Sequence, residues 1–236
     1  MTKRIRHIRN QLQKLGSRKR AEVSQRFFKT AQGEYGEADV FLGVKVPELR
    51  KLAKEEENLT IRDIEQLLKS PIHEERLLAL LILVCRFQKR NEIERMQIYE
   101  LYLKNIQFIN NWDLVDTSAE HIVGAFLMDK SKTPLYRLAK SKSLWERRIS
   151  IMSTFHFIKH SEFIETLKIS KTLLWDEEDL IHKAVGWMLR EVGKRNLSVQ
   201  EKFLKAHYKK MPRTMLRYAI EKFPESKRQR YLKGKI

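Results

Sequence analysis

Cysteine is almost absent from this chain: Cys85 is the only one in 236 residues, so no internal disulfide can form and a reducing compartment is expected. It lies in LLALLILVCRF and reads as a filler of the core. Glycine and proline are scarce too, with 8 and 5 residues, which argues against both a β-sandwich and a disordered chain. No segment reads as a convincing strand. The longest apolar run, Leu77 to Cys85, is too short to span a bilayer. The opening MTKRIRHIRNQLQKLGSRKR is basic, but its apolar residues are isolated, so it lacks the apolar stretch of a signal peptide. A cytoplasmic protein with no membrane association is expected. The seven histidines show no metal-ligand spacing, and neither a metal nor a cofactor is expected.

Hydrophobic residues make up 42% of the chain, enough for a folded core. The 48 Lys and Arg against 30 Asp and Glu leave a net charge of +18 and an isoelectric point near 9.9. A surplus of this size suggests a polyanionic partner: DNA, RNA or an anionic membrane. The plain alternative is a basic but otherwise unremarkable protein, and charge alone does not separate DNA from RNA.

Apolar spacing and cap residues predict helices throughout. Residues 3–15 form a basic helix ended by Gly16-Ser17, and 18–31 a second one carrying Phe27 and Phe28. Residues 32–43 hold three of the eight glycines and read as a loop. Val46-Pro47 opens a helix to about Glu56, since proline suits the first turn, and Thr60 is placed to cap the next. Helices follow near 74–89, 92–105, 112–128, 132–140, 144–159, 162–173, 179–195, 198–208, 212–222 and 225–233. SPIHEERLLALLILVCRFQKR (70–90) aligns with SKSLWERRISIMSTFHFIKHS (141–161), and DLIHKAVGWMLREVGKRN (179–196) lies about half that offset further on. A degenerate helical-hairpin unit of roughly 36 residues thus recurs near positions 76, 112, 148, 184 and 217. Such units stack into a solenoid with a concave face built from the second helix of each pair. The expected fold is all-α, one domain over 1–236, with N-terminal helices in 1–31, a loop over 32–45 and helical repeats over 46–233.

The period brings particular side chains into register. Trp112 and Arg148 are 36 apart, Trp187 lies one turn past the next equivalent site, and Asp116 is one turn after Trp112 on the same side of its helix. An acid, an arginine and two tryptophans are therefore expected to converge. Each also has a bland reading: core aromatics for Trp112 and Trp187, a carboxylate paired with a neighbouring arginine for Asp116, and a snorkelling or ion-paired cation for Arg148. On helix 179–195, Lys183, Trp187, Arg190 and Lys194 fall on one stripe apart from the apolar face. That stripe is either a solvated basic face or a nucleic-acid contact, with cations for phosphates and an indole for a sugar or base.

NNWDLVD (110–116), LWERRISI (144–151) and KAVGWMLREVGK (183–194) resemble three signature segments of the AlkD family of DNA alkylpurine glycosylases, and FLGVKVPELRKLAK (41–54) is similar to the family's second-repeat segment. The resemblance runs in order from about Ser24 to near residue 222, with KAVGWMLRE its most specific piece. It implies a right-handed superhelix of HEAT-like repeats with a concave basic face. By the same resemblance Trp112 and Trp187 face the sugar, Asp116 is the catalytic carboxylate and Arg148 the active-site arginine. Phe27 falls where the family's best-known pattern has a tyrosine, so a hydroxyl contact is missing. Phe27, Arg147, Lys183, Arg190 and Lys194 are then expected to bind DNA. The implied reaction is hydrolysis of the glycosidic bond of purines alkylated at N3 or N7, in duplex DNA and without base flipping, by a monomer. A non-catalytic helical-repeat protein binding DNA or RNA by charge and shape is the alternative, and a protein–protein scaffold is a third reading.

Overall fold

The computed structural model describes residues 2–236. Its helices are α1 (Lys3–Leu15), α2 (Arg18–Phe27), α3 (Val46–Glu55), α4 (Ile61–Leu68), α5 (His73–Lys89), α6 (Glu92–Lys104), α7 (Trp112–Ala119), α8 (Ala125–Leu127), α9 (Thr133–Ala139), α10 (Leu144–Lys159), α11 (Ile164–Thr172), α12 (Asp179–Arg195), α13 (Leu197–His207), α14 (Arg213–Ala219) and α15 (Glu225–Leu232). Among the described residues the only β-type pairing is an isolated bridge between Val40 and Ile72, and no helix is long and apolar enough to cross a membrane. The chain forms two compact units, the first ending at Ile122 and the second running Val123–Ile236.

Local chemistry sets the helix ends. Thr60 accepts from the Asp63 amide at 3.1 Å, Asn91 from Glu94 at 3.0 Å and Asn196 from Val199 at 3.1 Å, each satisfying a first-turn N–H. Pro47 occupies the first turn of α3. Two expected helices come out differently. The one from residue 18 stops at Phe27, because Lys29 adopts a left-handed φ of 51°. The one from 112 is interrupted at Glu120–Gly124 by a π-helical turn, within which the two units meet in sequence. Cys85 is half-buried rather than a core filler: it lies beside Arg86 at the margin of the buried 77–84 run.

In the first unit α5 is the hub, packing against α3, α4, α6 and α7. Four consecutive charged residues at its start are buried, and between them they hold α1, the loop after α2, the turn at Ser70 and the start of α7. Glu75 takes a forked hydrogen bond from Arg9 of α1, with Nη2 at 2.9 Å and Nε at 3.0 Å. Glu74 accepts the amides of Leu42, Gly43 and Val44 at 2.9, 2.7 and 3.2 Å, which fixes the loop after α2. Gly43 has φ 74°, and a Cβ there would stand 2.4 Å from the Ser17 carbonyl oxygen, so the loop can pass only with glycine at this point. Arg76 donates to the Ser70 carbonyl at 2.9 Å, and His73 faces two acids described below.

In the second unit α10, α12 and α14 lie side by side, with α9, α11 and α13 packed against them. They begin at residues 144, 179 and 213, close to the period read from the sequence. Of the apolar residues expected on one face of α12, Leu180 in the first turn is only half-buried, whereas Ile181, Ala184, Val185, Met188, Leu189 and Val192 have no exposed surface. Burying its five larger side chains contributes on the order of 10 kcal/mol before the entropy of ordering is subtracted. Gly186 lets α14 come close, since a Cβ there would lie 2.4 Å from the Met215 carbonyl oxygen and 2.5 Å from the Tyr218 Cβ. Gly186→Ala should therefore cost about 1–3 kcal/mol, even though alanine favours helix. Urea unfolding of the variant checks this, and unchanged stability would mean that α14 yields without penalty.

Candidate functional site

Trp112 opens α7, and Asp116 follows one turn later; both are half-buried. Asn111 sets the start of the helix. Its side-chain oxygen accepts from the Trp112 amide at 2.8 Å, and its amide nitrogen donates to Asp39 at 3.3 Å. The Trp112 ring stacks on Phe28 with centroids 5.2 Å apart and an interplanar angle of 20°. Phe28 stacks on Phe41 at 5.0 Å, and Phe41 on His73 at 4.5 Å. Phe27 meets Trp112 edge-on at 5.8 Å and keeps 63% of its surface exposed. A four-ring column thus runs from a half-buried indole to a buried imidazole, and it fixes the plane of Trp112.

His73 anchors the column. Its Nδ1 lies 3.0 Å from Asp39 and its Nε2 2.7 Å from Asp113. Both acids accept, so both ring nitrogens donate and the imidazole is cationic. Burial pushes its pKa down, but the hydrogen bonds to Asp113 and Asp39 outweigh this and raise it to about 8. Asp39 in turn has burial pushing it up, overcome by His73 and by Arg76, whose Nη2 is 2.6 Å away, so that it stays below its ordinary value. Two anions and two cations balance in a volume with little water, where an unpartnered charge would cost several kcal/mol.

Below Trp112, the Tyr102 hydroxyl is buried and donates to Ser118 Oγ at 3.0 Å, while Ser118 donates to the Leu114 carbonyl at 2.6 Å. Burial pushes the Tyr102 pKa up, the Ser118 bond pulls it down, and the charge of Asp116 raises it again. The Asp116 carboxylate therefore acts electrostatically on a phenol that stays protonated.

In the second unit Arg148 is 4% exposed and donates through Nη1 to the Leu180 carbonyl, in the first turn of α12. Arg147 uses its donors inside the unit: a fork onto Asp176 at 2.6 and 3.2 Å, and bonds to the Ser141 and Lys142 carbonyls at 3.1 and 2.9 Å. Trp187 is half-buried, tilted against Phe155 at 6.1 Å, and its Nε1 donates to Glu191 at 3.3 Å. Glu191 is 5% exposed and also receives Lys194 at 2.7 Å and Arg195 at 3.4 Å. Burial alone would raise its pKa, yet Lys194, Arg195 and Arg190 keep it low. Lys183 pairs with Asp179 at 2.6 Å, and Arg190 with Glu221 of the segment following α14. Each cation of the α12 stripe thus has an acid on hand.

Trp112, Asp116 and Phe27 lie in the first unit, and Arg147, Arg148, Lys183, Trp187, Arg190 and Lys194 in the second. Sequence reasoning missed Phe28, Phe41, Asp39, His73, Asn111 and Asp113 as one assembly, and Glu191 and Phe155 as the setting of Trp187. Among the described residues no group of three or more His, Cys, Asp or Glu is arranged to hold a metal ion.

The model of one protein family, the DNA alkylation repair enzymes, matches residues 8–223. The chain belongs to that family. Its fold is shared with a predicted DNA alkylation repair enzyme from Enterococcus faecalis: TM-score 0.67, 18% identity, 89% of this chain and 97% of that one. It is also similar to smu.31 from Streptococcus mutans UA159: TM-score 0.52, 18% identity, 76% of this chain and 93% of that one. At these identities the likeness is one of fold. No curated protein matches the chain.

The His73 clamp predicts a pH dependence. The folded protein holds this proton more tightly than the unfolded chain does, with a pKa of about 8 against 6.5. The stabilisation is complete below pH 6.5 and fades as the pH rises through 8. About 2 kcal/mol should be lost over that window. Thermal unfolding followed from pH 6 to 9 should show the fall in wild type and not in His73→Gln; equal falls in both would assign it to another group.

Proposed function

We propose that this protein is a monofunctional DNA glycosylase. It removes purines alkylated at N3 or N7, and so carrying a positive charge, from duplex DNA without flipping the base into a pocket. Membership of the DNA alkylation repair enzyme family supports repair of alkylated DNA. The observation that carries the finer reading is Asp116, half-buried one turn from an indole whose plane a stacked column holds.

In the proposed step the C1′–N bond breaks and its electron pair goes to the purine, which leaves neutral because it began as a cation. Such a leaving group needs little acid help. The demand falls on the deoxyribose, where positive charge develops. A preorganised carboxylate with restricted hydration stabilises that charge and orients the water that attacks C1′; the water's proton passes to solvent. The indole faces of Trp112 and Trp187 add cation–π attraction that grows with the charge. Arg148, Lys183, Arg190 and Lys194 are proposed to bind backbone phosphates, with Phe27 against the DNA. The reading also carries the expectations that the protein works as a monomer, needs no cofactor and acts where the DNA lies, in the cytoplasm.

Asp116→Asn preserves shape and removes the charge. Release of 7-methylguanine or 3-methyladenine from methylated duplex should fall about 10²-fold or more, comparable to losing one well-aimed electrostatic stabiliser. Affinity for the duplex should hold or rise. Trp112→Ala and Trp187→Ala should each slow release by less, since a cation–π contact contributes roughly 1–2 kcal/mol. Equal release by wild type and Asp116→Asn, above the spontaneous rate, would falsify the glycosylase reading and leave a DNA-binding module.

A further inference from the structure

The positive charge of this chain is not spread evenly. Residues 2–29 hold ten Lys and Arg and one acid, and residues 205–236 hold eleven and two. Residues 30–204 contain 27 of each sign. The segment with every candidate sugar-facing and phosphate-facing residue except Phe27 is therefore neutral overall. The surplus that points to a polyanion lies outside it.

At the C-terminal end the fold gathers part of this surplus. Tyr231 of α15 packs edge-on against Tyr208 at 5.3 Å and against Phe223 at 5.8 Å. The Tyr208 hydroxyl donates to the Ile236 carbonyl at 2.9 Å, and Arg213 Nη1 to the Leu232 carbonyl at 2.6 Å. These contacts pin the final residues against the end of α13 and the start of α14. Lys209, Lys210, Arg213, Lys233 and Lys235 are thereby brought to one end of the unit, all five exposed. No acid, among the described residues, pairs with any of them. The acids of this region are engaged elsewhere: Glu201 with Lys227, Glu225 with Arg228, and Glu221 with Arg190 and Lys222. Nearby, His207 is held below its ordinary pKa first by burial and then by Lys171 and Lys210.

Five like charges drawn together by the packing of the tail repel one another and raise the energy of the free protein. The α12 stripe is different, since each of its cations has an acid. We propose that the cluster of Lys209, Lys210, Arg213, Lys233 and Lys235 is a second contact for the phosphate backbone of duplex DNA, separate from the residues assigned to the sugar and lesion. This rests on the reading that DNA is the substrate. The cluster carries sequence-independent affinity, and the neutral segment carries recognition of the damage.

The test is a variant with Lys209, Lys210, Lys233 and Lys235 changed to Gln, leaving Arg213 on its carbonyl. Its thermal midpoint should equal or exceed wild type, since repulsion is relieved. Its affinity for undamaged duplex DNA at low salt should fall roughly tenfold or more. The slope of log affinity against log salt should flatten by about 0.9 for each phosphate that is no longer neutralised. Base release at saturating enzyme should be unchanged, and binding to vesicles of anionic lipid should be absent from both proteins. A folded variant with wild-type affinity and slope overturns the proposal. So does a loss confined to anionic vesicles, which would assign the cluster to a membrane. If wild type does not bind duplex DNA at all, the functional reading fails and the cluster proposal falls with it; wild-type binding with no change in the variant removes the cluster proposal alone.

Discussion

Four charged side chains in succession, His73, Glu74, Glu75 and Arg76, are buried at the first turn of α5. Burying a charge is costly unless it is paired and hydrogen-bonded. Here the pairing is distributed. Glu75 fixes α1, Glu74 the loop backbone at 42–44, Arg76 the turn at Ser70, and His73 the loop at Asp39 together with the start of α7 at Asp113. Two acids in a first turn also suit the helix dipole. The arrangement is specific because the partners come from several segments and Asp39 is shared by His73 and Arg76: shifting any one leaves a buried ion exposed to the full desolvation cost. The position of Trp112 follows. Asn111 and Asp113, the residues on either side of it, are bound to this network, and its ring rests on a column that ends at His73.

The second unit reaches its geometry by a different route. Its central helix is held by apolar burial on one face and by the close approach of α14 at Gly186. The buried Glu191 is the common acceptor there for the Trp187 indole and for Lys194 and Arg195. Trp187 is thus oriented by a carboxylate, whereas Trp112 is oriented by stacked rings.

Apolar spacing is enough to place most helices. It finds the face of α12 apart from Leu180, which is only half-buried, because an apolar stripe on a helix has few other uses. It overruns α2 and the helix after Trp112, because a left-handed residue at Lys29 and a π turn at Glu120–Gly124 leave no mark in apolar spacing. It places Cys85 in the core because an apolar run hides which side of the helix is covered. The resemblance of NNWDLVD and KAVGWMLRE names the side chains proposed to act, but not what orients them. Asp39 sits in a glycine-containing loop and His73 in a string of charges that reads as a solvated helix start. Only the fold shows that both are buried and facing each other. The signal available was the density of charge immediately before an apolar run, which is costly to bury without a reason.

Magnitudes separate the cations that were expected to meet DNA. An exposed ion pair contributes about 0–1 kcal/mol, so exchanging its acid for a phosphate costs little. Lys183 with Asp179 is such a pair, with both side chains about half exposed. Lys194 is as exposed as Lys183, though its acceptor Glu191 is buried. Arg147 and Asp176 are 15% and 5% exposed, joined by two parallel bonds and supported by two backbone carbonyls. Releasing that arginine would strand a nearly buried carboxylate, a penalty of several kcal/mol that one phosphate contact does not return. Arg147 is therefore bound to the architecture of α10, while the exposed pair of Lys183 with Asp179 contributes little to α12. A stripe whose cations are already matched with acids projects little net positive field, so the surplus positive charge of the chain lies outside it.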